Sequence, residues 1–222
     1  IIHLYETGNI GFNSLVVNNF ASYLMLIGVL VNVAAIPVSS WLPDAYPQST
    51  IMGGVILSAY TSKTAVYVLL RGFSGTDALI WLGAAMAIYG IIYGLLENNI
   101  RRVLAYSIVN QVGFMVCAVG VGTKLAIAGA SAHAFSHIIY KGLLWMSAGA
   151  VVLQTGKTKY TDLGGLYYKM PFTCIFGLIG ALACSSLPFI SGYTTKSIIL
   201  KSLAAEGLFF PWLILEIASA GT

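Results

Sequence analysis

Charged side chains are scarce in this 222-residue chain: Asp, Glu, Lys and Arg together make up 8% of it, where a soluble domain carries about 25%. So little charge excludes a water-facing surface around the whole chain. Cysteine is scarce as well. Cys117, Cys174 and Cys184 are odd in number, form no CxxC pair and lie within apolar runs, which excludes a disulfide framework and gives no iron–sulfur site. They read as small core residues. No GxGxxG, GxxxxGK or GxSxG pattern occurs, so nucleotide binding and serine hydrolase chemistry have no support, and no redox cofactor is indicated. The net charge of +4 comes without a basic stripe interleaved with aromatics, which argues against nucleic acid. Residues 1–20 lack a basic start followed by a continuous apolar stretch. They therefore read as a polar connecting segment with a short amphipathic piece, not as a cleavable signal.

What the chain has instead is long apolar runs. About 20 apolar residues cross a hydrocarbon core as a helix, and such runs extend over Ala21–Trp41, Ile51–Leu70, Ala78–Leu96, Val103–Val121, Leu125–Leu153 and Met170–Ile190. They predict six complete spans. A seventh run starts at Leu208 and is still apolar at Thr222, and the first residue is Ile1, so the chain reads as a piece truncated at both ends, with the transmembrane domain over 21–222. Backbone groups in lipid must be satisfied within the segment, and barrel-type alternation is absent, so the expected fold class is all-α, a polytopic transmembrane bundle. If the runs alternate in direction, the loops around 42–50, 97–102 and 154–169 share one side. That side holds Arg101, Arg102, Lys157, Lys159 and Lys169, against Arg71 and Lys124 opposite, which makes it cytoplasmic by the positive-inside rule. Small residues such as Gly53, Gly54, Ala84, Ala85, Gly149 and Ala150 let helices approach closely.

Prolines interrupt two runs: Pro37 with Pro43 and Pro47, and Pro171 with Pro188. Breaks are expected near Pro37 and Pro188. One proline alone makes an ordinary kink, whereas broken helices beside polar residues mark ion sites in transporters.

Ionisable residues inside the runs carry the chemistry. Lys63 lies thirteen residues after Thr50 and eight before Arg71, deep enough to strain snorkelling of its stem to either surface. A mid-membrane charge costs a few kcal/mol and faces a bundle interior or water path, and burial disfavours its charged form, which suits proton exchange. In the fifth run His133, His137 and Lys141 are spaced by four, each about 40° and about 6 Å beyond the last on one helix stripe. Tyr140, seven residues after His133, joins them, so groups that donate and accept protons extend over about 12 Å of depth. Single buried histidines are common core residues, and a His pair spaced by four can ligate zinc. The stretch His133-Ala-Phe-Ser-His137 lacks the glutamate of HExxH, however, and the run holds no carboxylate, so a relay is the better reading and no metal is expected. Lys196 follows Pro188 by eight residues in Ser-Gly-Tyr-Thr-Thr-Lys; spacing alone leaves it inward-facing or a loop lysine. Glu97, Arg101 and Arg102 read as solvated loop charges.

Several stretches carry a family resemblance. Pro37-Val-Ser-Ser-Trp-Leu-Pro-Asp-Ala45 resembles the P-x-x-x-W-L-P-D-A signature of the antiporter-like subunits shared by Mrp cation/proton antiporters and complex I. Ile100-Arg-Arg-Val-Leu-Ala-Tyr-Ser107 with Gln111-Val-Gly113, His133-x3-His137-x3-Lys141-Gly-Leu-Leu, and Asp162-Leu-Gly-Gly-Leu-Tyr with Met170-Pro171 agree in order. The wording of Glu97-Asn-Asn-Ile-Arg-Arg and Leu187-Pro-Phe-Ile-Ser-Gly192 looks most like the MrpD branch of proteobacteria. The resemblance implies a fourteen-helix core of two inverted five-helix repeats, each with a broken helix at a half-channel. It also implies a proton pathway of Lys63 on the central axis, His133, His137 and Lys141 as connecting relay, and Lys196 as terminal lysine. The lysine that the family places five residues before the signature's first proline is Asn32 here, and an amide carries no proton. Its partner glutamate would lie upstream of Ile1.

The function this implies is a subunit of a multi-subunit antiporter exchanging Na+ or K+ for protons, in a bacterial inner membrane, with other subunits and the lipid bilayer as partners and no cofactor of its own. The alternative is a membrane-arm subunit of a complex I-like NADH:quinone oxidoreductase or membrane-bound hydrogenase whose redox chemistry occurs in partners. A third reading, a scaffold without transport, draws on Asn32.

Overall fold

The computed structural model describes Leu15 and residues 19–222; the expected polar connection over 1–20 thus lies almost wholly outside the described residues. Among these the chain forms eleven α-helices and no strand.

Helix α1 (Phe20–Val33) opens where the Ser22 hydroxyl accepts from the Asn19 amide at 3.1 Å. It stops at Ala34, whose left-handed φ of 62° precedes Pro37. After a 3-10 turn at Val38–Ser40 comes α2 (Trp41–Gln48), bent 42° from α1. A proline cannot donate to the helix ladder, and here the Trp41 indole Nε1 takes over, donating to the Val31 carbonyl at 3.0 Å. The break near Pro37 is therefore present, and the run expected to be a single span over Ala21–Trp41 is a bent pair reaching Gln48.

Helix α3 (Ile51–Ile56) passes through a π-turn at Leu57–Thr61 into α4 (Ser62–Gly72). The sequence carries no proline there to announce it. α5 (Ala78–Leu96) and α6 (Ile100–Val121) form the tightest pair. A Cβ on Gly83 would lie 2.3 Å from the Cys117 amide nitrogen, and one on Gly90 would lie 2.4 Å from that of Asn110, so the glycines permit backbone contact between spans. α6 is the central helix, buried along nearly its whole length. α7 (Lys124–Thr155) has 32 residues, about 48 Å.

The sixth expected span is corrected. After the one-turn α8 (Leu166–Lys169), helix α9 covers only Pro171–Cys184, 14 residues, or about 21 Å. It unwinds at Ser185–Ile190, where Ser186 and Phe189 flank the Pro188 segment with φ of 60° and 73°, and α10 (Ser191–Ala205) resumes beyond. α11 (Phe209–Ala220) follows. Among the described residues four helical stretches are long and apolar enough to cross a membrane, with α3 and α4 counted as one through the π-turn, or five with α1–α2 as one bent span.

The loops expected on one side do meet. Ile100 donates to the Thr158 carbonyl at 2.9 Å and Tyr160 to that of Asn98 at 3.0 Å, while Arg102 pairs with Asp44 at 3.0 Å and Glu97 at 3.4 Å. Arg101 is no solvated loop charge. It is buried, it donates to the carbonyls of Pro47, Ser49 and Thr50 at 2.7, 3.0 and 3.2 Å, and it lies 5.4 Å from the Trp145 ring centroid. A chain turning sharply between α2 and α3 leaves carbonyls without helical partners, and the guanidinium's fork of donors satisfies them.

Candidate functional site

Lys63, His133, His137, Tyr140, Lys141 and Lys196 are all buried. No carboxylate among the described residues is, and the ion pairs found among them involve only Arg102. Three lysine ammonium groups thus sit inside the bundle with neutral oxygens as ligands.

Lys63 is held by the π-turn. A π-turn shifts the hydrogen-bond register and leaves carbonyls for other donors; Lys63 Nζ donates to the Ser58 carbonyl at 2.5 Å and to Ser62 Oγ at 3.2 Å. It lies within electrostatic reach of Lys141 and His137.

On α7, Lys141 Nζ donates to Ser107 Oγ of α6 at 2.6 Å. The His133 and His137 rings lie 6.2 Å apart between centroids, and those of His137 and Tyr140 5.1 Å, so the stripe expected from the four-residue spacing is formed. His137 is fully buried, and neither of its ring nitrogens has a partner. His133 is gripped from both sides: Nδ1 lies 2.8 Å from Thr195 Oγ1 of α10, and Nε2 lies 3.1 Å from Gln111 Oε1 of α6.

Lys196 faces inward, which settles the choice left by its spacing. Its Nζ donates to the Cys184 carbonyl and to Thr222 Oγ1, both at 3.1 Å, and lies 5.2 Å from the Phe114 ring centroid. The Cys184 carbonyl is available because α9 ends there; the helix break supplies the lysine's ligand. A cavity of about 420 Å³ is lined by Lys196 together with Ser186, Tyr193, Lys201, Glu216 and Ser219.

Asn32 stands apart from this cluster, lining a separate cavity of about 320 Å³ with Met25, Thr64 and Phe73.

Sequence reasoning missed the connectors: Ser58, Ser107, Gln111, Cys184 and Thr195. Cys184 is more than a small core residue, since its sulfur lies 3.8 Å from Ser107 Oγ and 3.9 Å from Gln111 Nε2. The available signal was Ser107 and Gln111 four apart on an apolar helix, which places both on one face.

Apolar helices broken at two points, with lysines and histidines gathered inside, are the architecture of an antiporter-like membrane subunit. The family model "NADH:quinone oxidoreductase/Mrp antiporter, TM" matches residues 2–221, and the chain belongs to that family; it is an integral membrane protein. It is 36% identical over 188 residues to NADH-ubiquinone oxidoreductase chain 5 of Cryptococcus neoformans var. grubii, covering 80% of this chain and 28% of that protein. To Hydrogenase-4 component B of Escherichia coli K12 it is 30% identical over 195 residues, covering 78% and 29%. Among solved structures, its fold is similar to a chain of the Mrp complex from Dietzia sp. DQ12-45-1b, with a TM-score of 0.91, 20% identity and coverage of 98% of this chain and 44% of that one. It is similar as well to a chain of the archaeal membrane-bound sulfane sulfur reductase, with a TM-score of 0.83, 28% identity and coverage of 89% and 43%. This chain thus spans less than a third of these two curated relatives and less than half of the solved chains.

Proposed function

We propose that residues 21–222 are the proton-translocating part of a subunit of a multi-subunit monovalent cation/proton antiporter, moving protons along Lys63, His137, His133, Lys141 and Lys196, with Tyr140 in support. The observation that carries this reading is the set of three buried lysines with no buried carboxylate among the described residues. A charged lysine at that depth costs about 3 kcal/mol, so a site built this way favours losing and regaining protons over holding fixed charge. Each lysine also has oxygen ligands at a helix irregularity or on a neighbouring helix. Protonation of one site electrostatically disfavours the next, which links proton movement to cation movement elsewhere in the complex. Asn32 carries no proton, so the route runs through Lys63. The fold likeness to a chain of the Dietzia Mrp complex supports partner subunits, while Na+ or K+ as the exchanged ion and MrpD as the counterpart rest on the motif resemblance of the sequence. The lysines and arginines of loops 97–102 and 154–169 are the ground for placing those loops in the cytoplasm of a bacterium.

A second reading draws on the relatives named NADH-ubiquinone oxidoreductase chain 5 and Hydrogenase-4 component B: the same pathway in the membrane arm of a redox complex. To separate the two, the full-length protein is expressed with its partner subunits in antiporter-deficient cells, and pH-gradient collapse in everted vesicles is followed on adding Na+ or K+. Cation-dependent collapse that Lys63→Ala abolishes supports the antiporter. An assembled wild-type complex that gives no collapse with either ion refutes it and favours the redox arm.

A further inference from the structure

We infer that Gln111 is a positioning residue: its amide oxygen holds His133 with the proton on Nε2, so that Nδ1, facing Thr195, is the nitrogen that takes up and returns the relay's proton. This rests on the proposed pathway through His133.

The hydrogen-bond inventory of the site leads there. Gln111 Oε1 is approached by two groups, His133 Nε2 at 3.1 Å and the Tyr140 hydroxyl at 3.4 Å, while the Nε2 end of the amide faces Cys184 Sγ at 3.9 Å. Cys184 Sγ in turn lies 3.8 Å from the Ser107 hydroxyl, which already accepts from Lys141 Nζ and so directs its own hydrogen toward the sulfur. The sulfur is a weak acceptor for two donors, and the amide oxygen a strong one. Turning the amide over would set its NH2 group against the imidazole and the phenol and its oxygen against the sulfur, giving up the stronger acceptor. In the orientation present, an amide oxygen at Nε2 requires an N–H there, so in neutral His133 the lone pair is on Nδ1.

Thr195 fits both charge states. Its single hydroxyl hydrogen can point to His133 Nδ1 at 2.8 Å or to the Ser191 carbonyl one turn back at 3.0 Å. With His133 neutral, the hydroxyl donates to Nδ1. When a proton arrives at Thr195 Oγ1 from the α10 side, the hydroxyl passes its own proton to Nδ1 and keeps the incoming one, which turns to the Ser191 carbonyl. His133 becomes imidazolium, with Nδ1–H donating to Thr195 and Nε2–H still donating to Gln111. The reverse step returns one proton and restores the starting bonds. An amide oxygen is too weak a base to carry the Nε2 proton onward, so His133 exchanges protons with the α10 side, where Lys196 lies, and its link to His137 in the pathway is electrostatic, the charge on one ring biasing the other. The titratable and charged groups around His133 are His137 and Tyr140 on its own helix, Lys196 on α10 and Lys63 on α4. No hydrogen bond joins any of them to its ring nitrogens.

The test is 15N NMR of histidine-labelled assembled complex in lipid, with the His133 signals assigned by their loss in His133→Gln. Neutral His133 in the wild type is expected as the Nε2–H tautomer, and Gln111→Met, of similar volume without a strong acceptor, is expected to move it to Nδ1–H with Thr195 accepting. Transport by Gln111→Met falls about tenfold or more, the scale seen when the partner that fixes the tautomer of a metal-ligating histidine is removed, and Gln111→Glu, which keeps an acceptor, restores the tautomer while shifting the pH profile of transport. A wild-type Nδ1–H tautomer overturns the inference even if no variant assembles. So does a tautomer unchanged in an assembled Gln111→Met complex. The tautomer is read without transport: if it behaves as expected while His133→Gln transports normally, the inference about Gln111 stands and the pathway through His133 fails.

Discussion

Replacing Arg101 by leucine tests whether the α2–α3 turn depends on a buried guanidinium. The substitution removes three donors from the carbonyls of Pro47, Ser49 and Thr50, at 2.7–3.2 Å, and a cation from the face of Trp145 at 5.4 Å. Hydrogen bonds to a charged group contribute about 1.5–3 kcal/mol each, and water at the membrane end recovers part of what the carbonyls lose; about 4 kcal/mol of destabilisation is the result. For domains of about 150–250 residues about 2–4 °C accompanies each kcal/mol, and on that scale the apparent melting temperature should fall about 10 °C. Arg101→Lys keeps the charge but places one compact donor group where a planar fork reached three oxygens, and should fall about half as far. The assay is thermal loss of the monodisperse size-exclusion peak of detergent-solubilised complex. A leucine variant melting within about 3 °C of wild type refutes the claim that the guanidinium holds the turn, and a lysine variant as damaged as leucine refutes the partial rescue by charge.

Two further outcomes use the same assay. Gly83→Leu places a side chain where a Cβ already meets the Cys117 amide nitrogen at 2.3 Å; overpacking a backbone contact costs about 3 kcal/mol or more, so assembled complex should be largely lost, and normal yield would refute the tight α5–α6 approach. Arg102→Ala breaks the pairs with Asp44 and Glu97, but Arg102 and Asp44 are 39% and 62% exposed, and surface pairs contribute about 0–1 kcal/mol; a shift above about 5 °C would show that the pairs matter more than exposure allows.

The membrane class and the all-helical fold were legible because hydropathy reports depth directly. Lys63, the His133–Lys141 stripe and the break near Pro37 were legible for the same reason: a charge or a proline in an apolar run stands out. The π-turn before Lys63 was not, because Leu57–Thr61 holds no proline or glycine, and its register shift is stabilised by contacts from elsewhere, among them the Tyr46 hydroxyl donating to the Leu57 carbonyl at 3.2 Å. The break expected near Pro188 is present, but its extent was not legible, since apolar residues continue through the unwound segment to Ile190 and hide the end of α9 at Cys184. Arg101 looked like a loop charge because its partners lie more than fifty residues away in the chain.

By itself, then, the sequence determined that this chain lies in a membrane as helices, that Lys63 and the His133–Lys141 stripe sit at depth, and that its motifs resemble those of antiporter-like subunits. The tertiary structure alone decided that α6 is the central helix and that Gln111, Cys184 and Thr195 converge on His133, Lys141 and Lys196. The reason is that lipid and protein interior are equally apolar, so hydropathy places a residue along the membrane normal but does not say which helix face meets a neighbour. Close backbone approach at Gly83 and Gly90 and the side-chain contacts of Gln111, Cys184 and Thr195 supply that information, and both depend on partners distant in the chain.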